Sequence, residues 1–317
     1  MKISLLALIA AFFLSLCFCA LLIPLLRKMK AGQNILSYVK EHKNKNGTPT
    51  MGGLAFVLAA VFTAVCFIKE AGRITVLSIA IGLAYMIVGL LDDCLKWKKK
   101  ENMGLTALQK FLFQLAIALF AGIFCFRSGL TSIYLPFTKY ALDIGFWVLP
   151  LTAFVFIATV NAVNLTDGLD GLAAGASAPF FATVGILIAL QNGAFAITTL
   201  CFCIVGALFA YLLFNVSPAT VFMGDTGSLA LGGFAACVSV FTGNTLYIAV
   251  IGLPFVLSVL SVIVQVLYYK ATGGKRIFLM APLHHHFQEK GFSESKIAFS
   301  YSVATLLLGV ICIIFNL

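Results

Sequence analysis

Residues 74–93 read ITVLSIAIGLAYMIVGLLDD, an apolar run that ends in two aspartates. A helix needs roughly 17–25 apolar residues to cross a bilayer, and this run is long enough. An ionised aspartate at the bilayer centre costs roughly 2.5–3.5 kcal/mol, so Asp92 and Asp93 belong at the water boundary. The stretch therefore predicts a membrane-spanning helix with an acidic pair at one end.

The rest of the chain has the same apolar character. Its 317 residues are 62% hydrophobic and only 10% charged, whereas soluble domains carry about 25% charged residues. Only helices and closed barrels satisfy their backbone in lipid, and long uniformly apolar runs favour helices. We predict an all-α polytopic membrane protein in which residues 1–317 form a single domain. About ten spans are expected, at residues 3–26, 52–68, 74–91, 105–126, 144–163, 171–190, 194–214, 226–241, 245–269 and 297–315.

Polar clusters are concentrated in the odd-numbered gaps between these segments. If every segment crosses the bilayer, odd-numbered gaps face one compartment, so the clusters can form one site. The clusters lie at residues 42–53, 92–96, 161–171, 215–228 and 282–287.

Basic residues predict the orientation. The odd-numbered gaps and their helix ends hold all but five of the 21 Lys and Arg residues. Loops rich in Lys and Arg stay in the cytoplasm, so both termini are expected outside and the site on the cytoplasmic face. The same rule explains the net charge of +10 without a nucleic-acid partner. The five exceptions are Lys2, Lys69, Arg73, Arg127 and Lys139.

The acidic motifs contain the candidate catalytic groups. Asp92 and Asp93 should point about 100° apart on a helix, so they should have different roles. Lys96 is placed to pair with them, and a plain ion pair at a helix end is the simpler interpretation. Asp225, between glycines and before an apolar segment, suits either anion binding at a helix N-terminus or helix capping.

Two further clusters add amides and imidazoles. Asn164, Asp167 and Asp170 have i, i+3, i+6 spacing, which would form a polar stripe on a helix. His284 and His285 belong to a run of three histidines, which favours phosphate binding or proton handling over a zinc site. A polar loop is the alternative for that run.

This combination favours phosphoryl transfer in the membrane. Carboxylates without paired cysteines favour Mg²⁺, or Mn²⁺, over zinc. Metal, lysines and glycine turns together are typical of phosphoryl transfer, and no P-loop motif for ATP is present. The main rival function is transport of an anionic solute, which would place charged residues near mid-span.

Five motifs in order resemble the MraY family, the bacterial phospho-N-acetylmuramoyl-pentapeptide transferases among the polyprenyl-phosphate N-acetylhexosamine-1-phosphate transferases. The resemblance covers essentially the whole chain. The motifs are KNGTPTMGG at 45–53, DDCLK at 92–96, NLTDGLDG at 164–171, PATVFMGDTGS at 218–228 and PLHHHF at 282–287.

The resemblance implies a Mg²⁺-dependent enzyme of peptidoglycan synthesis in the bacterial cytoplasmic membrane. Phospho-MurNAc-pentapeptide would pass from UDP-MurNAc-pentapeptide to undecaprenyl phosphate, giving lipid I and UMP. The implied partners are these two substrates and the lipid bilayer, and a homodimer is compatible with it. A sister transferase that uses UDP-GlcNAc is the alternative.

The resemblance also implies roles for individual residues. Asp92, Asp93, Asp225 and His285 are expected to be catalytic, with Asp225 and Asp167 holding the metal. Substrate is expected to contact Lys45, Thr50, Lys96, Asn164, Asp167, Asp170, Asn215, Phe222 and His284, with Phe222 suited to stacking on uracil.

Overall fold

The computed structural model describes residues 1–29, 47–68, 70–99, 103–138, 140–191 and 194–317. Helices dominate this part of the chain, and a two-stranded antiparallel sheet lies between the fourth and fifth. The elements are α1 (Lys2–Lys28), α2 (Gly53–Phe67), α3 (Arg73–Lys99), α4 (Ala107–Arg127), β1 (Ser132–Tyr134), β2 (Ala141–Asp143), α5 (Val148–Thr166), α6 (Leu172–Gln191), α7 (Phe195–Asn215), α8 (Gly224–Val240), α9 (Tyr247–Ile251), α10 (Leu253–Ala271), α11 (Leu283–Glu289) and α12 (Glu294–Ile314).

The prediction of an all-α polytopic membrane protein is confirmed. Eight helices within the described residues are long and apolar enough to cross a membrane. The other two predicted spans are helical but short: α2 has 15 residues and α8 has 17. At 1.5 Å per residue they measure roughly 22 and 26 Å, against a hydrocarbon core of about 30 Å.

The ninth predicted span is not one continuous helix. It divides into α9 and α10 at Gly252, and Pro254 lies in the first turn of α10. Proline has no backbone N–H to donate, so it is tolerated at a helix start and interrupts a helix interior. The uniformly apolar sequence of residues 245–269 conceals this break.

Helix α8 forms the centre of the bundle. Every residue from Thr226 to Val240 is buried, as expected for a helix that is apolar on all sides. Helices α2, α3 and α5 pack around it. A Cβ added at Gly89 on α3 would overlap the backbone carbonyl of Asp225, so this glycine permits close approach of the two backbones.

The outer surface of the bundle suits lipid. Helices α1, α4, α10 and α12 expose many large apolar side chains, including Leu21, Phe120, Leu267 and Leu307. A soluble protein would bury most of these side chains. Their position around the periphery supports the assignment to a membrane.

A small hairpin lies at the end of the bundle where α4 ends and α5 begins. The gap at residues 127–143 contains an alternating stretch at 131–137, which indicates a small hairpin outside the membrane. Strand β1 lies in that stretch and pairs with β2, so the hairpin is confirmed. The Tyr134 amide donates to the Gly243 carbonyl at 2.8 Å, which ties the hairpin to the loop after α8.

Candidate functional site

The described residues of the five polar clusters meet at the opposite end of the bundle from the hairpin. The first and seventh gaps are joined through their backbones: the Phe222 amide donates to Pro49 at 2.8 Å, and Gly52 donates back to Phe222 at 2.9 Å. Gly53, the first residue of α2, donates to Met223 at 3.0 Å. The starts of α2 and α8 therefore lie side by side and form the floor of the site.

Asp93 caps helix α8. Its carboxylate accepts hydrogen bonds from the Asp225 amide at 3.2 Å, the Thr226 amide at 2.9 Å and the Thr226 hydroxyl at 2.6 Å. The preceding turn needs Gly224, because its φ of +70° is unfavourable for a side chain with a Cβ. Asp93 thus caps α8, a role that the sequence suggested for Asp225 itself.

Asp92 has a different set of partners. Its Oδ1 accepts from the Leu105 amide at 2.8 Å, which joins α3 to the loop before α4. Its Oδ2 pairs with Lys96 Nζ at 2.6 Å and with Lys110 Nζ at 3.2 Å. Asp92 is fully buried, so these two lysines supply the balancing charge.

Asp225 shares both lysines with Asp92. Its Oδ2 accepts from Lys96 Nζ at 3.0 Å and also contacts Lys110 Nζ. Its Oδ1 accepts from Asn164 Nδ2 at 2.8 Å. Lys96 from the third gap and Asn164 from the fifth therefore both bind the carboxylate of Asp225 from the seventh gap.

Lys110 was not among the site residues predicted from sequence. It lies in the first turn of α4, a helix that opens with a capping box formed by Thr106 and Gln109. In the sequence it resembles any other basic residue of the cytoplasmic rim. One signal in the sequence could have identified it: Lys110 lies one turn into the span that follows the third gap, so it is close to the cytoplasmic face where the site is expected.

Three carboxylates form the compact centre of the site. Asp92, Asp93 and Asp225 each offer an oxygen within 4.8 Å of the others, so the group could hold a metal ion. Close carboxylates repel one another unless cations lie between them, and Lys96 and Lys110 partly meet that need. Asp167, expected as a metal ligand, is not part of this group.

The predicted helical stripe of Asn164, Asp167 and Asp170 is wrong in its geometry. Helix α5 ends at Thr166, so only Asn164 is helical. Gly171, with φ of +74°, belongs to the turn that follows. The turn still brings Asp167 towards the cluster: burial, and then the charges of Asp225, Asp93 and Asp170, raise the pKa of Asp167 well above its usual value.

Asp170 and Asn215 make contacts that hold loops together. The Asp170 carboxylate accepts from the Ala219 amide at 3.0 Å, and its own amide donates to Glu294 at 3.1 Å. Asn215 accepts from the Gly171 amide at 3.1 Å and donates to the Val221 carbonyl at 3.0 Å. Both side chains are almost fully buried, so these contacts support an organising role.

The three histidines lie on α11, a short helix that was not predicted from the sequence, and they face different neighbours. His284 is fully buried beside Gly168, and neither ring nitrogen has a hydrogen-bond partner among the described residues. Burial, together with the charge of His285, lowers the pKa of His284 to about 3. His286 accepts from the Leu279 amide at 3.1 Å, so its ring holds the preceding loop.

His285 and Thr50 approach the site from two sides. His285 Nδ1 contacts Gln288 Oε1 at 2.9 Å, and a Cβ added at Gly168 would lie 3.1 Å from its Nε2. Thr50 is buried, and a Cβ added at Gly224 would lie 2.7 Å from its hydroxyl. Phe222 is half-buried in the turn beside Thr50. Lys45 lies outside the described residues.

Comparison with known proteins agrees with this arrangement. Residues 74–243 match the model of glycosyl transferase family 4, and residues 45–57 match signature 1 of the phospho-N-acetylmuramoyl-pentapeptide-transferases. The first match covers α3 to the end of α8 and includes all three clustered carboxylates. The second covers the loop and helix that contact the start of α8.

Full-length relatives carry the same name as the signature. The chain is 40% identical over 315 residues to the phospho-N-acetylmuramoyl-pentapeptide-transferase of Geobacillus sp. (strain WCH70), covering 98% of this chain and 97% of the relative. It is 42% identical to that of Listeria monocytogenes serovar 1/2a, covering 92% and 91%. It is 43% identical to that of Clostridium perfringens (strain SM101 / Type A), covering 90% and 88%. With this identity over nearly the whole length, the chain belongs to glycosyl transferase family 4 and, within it, to the phospho-N-acetylmuramoyl-pentapeptide transferases of peptidoglycan synthesis.

Proposed function

We propose that this chain transfers phospho-MurNAc-pentapeptide from UDP-MurNAc-pentapeptide to undecaprenyl phosphate, at the cytoplasmic face of the bacterial cytoplasmic membrane. The products are lipid I and UMP. The observation that carries the proposal is the carboxylate cluster of Asp92, Asp93 and Asp225, with Lys96 and Lys110 bound to it, at the basic end of a membrane-embedded bundle. The names of the relatives support the pentapeptide donor over UDP-GlcNAc.

The donor set fits Mg²⁺, with Mn²⁺ as the alternative. Oxygen ligands at a charged, partly buried site are what both ions prefer. Asp225 is the best candidate to hold the ion, because it is the one carboxylate of this cluster that is not buried, whereas Asp93 is committed to the start of α8. When bound, the ion would neutralise charge on the phosphate oxygens. Asp167, which is not part of the three-carboxylate cluster, would contribute a further oxygen ligand from its edge.

Lys96 and Lys110 supply the positive charge that the reaction needs. Each ammonium is only partly exposed and contacts both Asp92 and Asp225. A negatively charged diphosphate entering the site would compete with these carboxylates for the lysines. Preorganised cations of this kind stabilise charge that develops in the transition state, at no cost of reorganisation.

The donor nucleotide would lie beside the turn that leads into α8. Phe222 is half-buried there and can stack on uracil; aromatic stacking on a base is worth roughly 1–3 kcal/mol. Asn164 holds Asp225 from the opposite side. Asp170 and Asn215 would act mainly by fixing the loops around the nucleotide.

The sugar and phosphate groups would contact the first loop and helix α11. Lys45, Thr50, His284 and His285 are proposed for these contacts. Within the described part of the chain, neither ring nitrogen of His284 nor the Thr50 hydroxyl has a hydrogen-bond partner, which supports this because buried polar atoms usually have partners. His285 is held by Gln288, which fixes its ring orientation.

The lipid acceptor would approach along an apolar cavity between α5, α6 and α10. Its volume is about 570 Å³, and its lining includes Phe154, Phe180, Phe255 and Val259. We assign this cavity to part of the undecaprenyl chain, since it reaches Asn161 near the polar end of α5. A polyprenyl chain is apolar enough to fill it, and its phosphate would then face the carboxylate cluster.

The proposed reaction is a single displacement. An oxygen of the lipid phosphate attacks the β-phosphorus of the donor, and the bond from that phosphorus to the bridging oxygen breaks. The electron pair leaves with UMP. A phosphate monoester is already ionised near neutral pH, so Asp92 would orient the acceptor and the lysines rather than remove a proton.

The first test is a UMP-release assay with purified full-length protein and undecaprenyl phosphate. UDP-MurNAc-pentapeptide and UDP-GlcNAc are compared at equal concentration, with and without the lipid acceptor. We expect lipid-dependent release only with the pentapeptide donor. Equal or faster release with UDP-GlcNAc would move the chain to a sister activity.

The second test addresses the metal. Asp225→Asn should lower turnover by two to three orders of magnitude, the usual loss for one group that stabilises transition-state charge. Asp143→Asn is the matched control, because Asp143 is exposed on the hairpin. Chelation by EDTA should abolish wild-type activity and Mg²⁺ should restore it. Near-normal turnover of Asp225→Asn at saturating Mg²⁺ would contradict the assignment.

A further inference from the structure

A cavity of about 1180 Å³ lies at the end of the bundle opposite the carboxylate cluster. The outer ends of α3, α4, α7 and α8 surround it, and the β1 strand lies against one side. Arg73 and Asp92 are 19 residues apart on α3, a distance of roughly 29 Å along the helix. The cavity is therefore separate from the transfer site.

Two arginines line this cavity. Arg73 begins α3 and Arg127 ends α4. Among the described residues, neither guanidinium has an ion pair or a side-chain hydrogen bond, although Glu70 also lies on the lining. The proposed orientation leaves only five Lys or Arg residues outside, so two in one cavity are a marked local concentration. Positive charge at the first turn of α3 adds to the positive end of the helix dipole.

The remaining lining separates into polar and apolar parts. Ser128 and Ser132 contribute hydroxyl groups near the arginines in sequence. Ile74, Phe124 and Phe195, which are at least partly exposed, contribute apolar surface from α3, α4 and α7. A ligand that matches both parts has an anionic head and an apolar tail.

We propose that this cavity binds an anionic phospholipid of the outer leaflet. Arg73 and Arg127 would contact the phosphodiester of the headgroup, since guanidinium groups match phosphate oxygens in pairs. One acyl chain would lie on the apolar surface between the helix ends. This binding site is independent of the transferase reaction.

The test is native mass spectrometry of the full-length protein in detergent, titrated with phosphatidylglycerol or with phosphatidylcholine of the same chain length. In the variant R73Q/R127Q, the tightest phosphatidylglycerol should bind about 25-fold more weakly, since one cation near an anionic lipid contributes roughly a factor of five. Phosphatidylcholine binding should not change. The matched control is Lys2→Gln, which removes an outer cation that does not line the cavity.

Three results would overturn the proposal. They are unchanged phosphatidylglycerol binding in R73Q/R127Q, an equal loss in Lys2→Gln, and displacement of phosphatidylglycerol by inorganic phosphate at equal concentration. The last would identify a free anion as the ligand. R73K/R127K guards against misfolding: it keeps both charges but loses the paired guanidinium contacts, so its phosphatidylglycerol binding should lie between that of the wild type and that of R73Q/R127Q.

Discussion

Asp92 and Asp93 are adjacent in the chain, yet their carboxylates have separate partners. Asp93 accepts three hydrogen bonds from the first residues of α8. Asp92 binds the Leu105 amide and pairs with two lysines. One carboxylate therefore holds the helix that presents Asp225, and the other belongs to the charged group around it.

This difference predicts different effects of the two asparagine variants. Asp93→Asn should lower the free energy of unfolding by about 1–3 kcal/mol, because it weakens buried bonds to a charged acceptor. Asp92→Asn should lower transferase activity with a smaller change in melting temperature. Thermal unfolding in detergent measures the first effect and UMP release the second. Equal shifts in melting temperature would mean that Asp93 is not the dominant cap.

Lys110 should be as important for activity as Lys96. Lys110→Met should lower kcat/KM by two to three orders of magnitude, because it removes a cation from Asp92 and Asp225. Lys99→Met is the matched control, since Lys99 is exposed at the far end of α3. Lys110→Arg should recover part of the activity. A loss of less than threefold in Lys110→Met would exclude this role.

Membrane character and the convergence of the five polar clusters could both be predicted from the sequence. Apolar runs and their parity depend on local composition, which the chain displays directly. The distinct environments of Asp92 and Asp93 could be anticipated in the same way, because the helical rotation between neighbours is constant. The hydrogen-bond partners of Asp92 and Asp93 could not be predicted from the sequence, since they depend on how α8 and α4 pack against α3.

Three features needed the tertiary structure. The extent of α5 was missed, because the glycines after Thr166 are compatible with either a helix or a turn. The break at Gly252 lies inside an uninterrupted apolar run. Lys110 was overlooked because a lysine in a basic rim differs from its neighbours only in the direction that its helix gives it.

Burial of His284 should make the fold sensitive to acid. Its pKa of about 3 in the folded state lies below the 6.5 of an exposed histidine, so only the unfolded chain takes up a proton between these values. The stability contributed by neutral His284 is present above about pH 6.5. It falls by up to about 1.4 kcal/mol per pH unit as the pH drops towards 3.

The measurement is the melting temperature at pH 7 and pH 5. His284→Asn cannot take up the proton, so its melting temperature should change less between the two pH values than that of the wild type. His286→Asn leaves His284 in place and should keep the wild-type difference. A wild-type difference in His284→Asn would show that the acid sensitivity has another source.

The proposed orientation predicts which sites are labelled from each side. Single cysteines at Lys99 and Lys290, both exposed, should react with an impermeant thiol reagent from the cytoplasm. A cysteine at Ser132 should react from outside. The background needs its exposed native cysteines, Cys17 and Cys66, replaced. Labelling of residues 99 and 290 from opposite sides would contradict the orientation.

The short central helices have a consequence for the lipids around the protein. Because α2 and α8 span less than the hydrocarbon core while α3 runs on to Lys99, the floor of the site is recessed. A headgroup phosphate could therefore reach the carboxylates without its lipid being lifted out of the leaflet. Catalysis then becomes coupled to bilayer thickness: longer acyl chains would raise the phosphate plane away from that floor, and shorter chains would bring the two together.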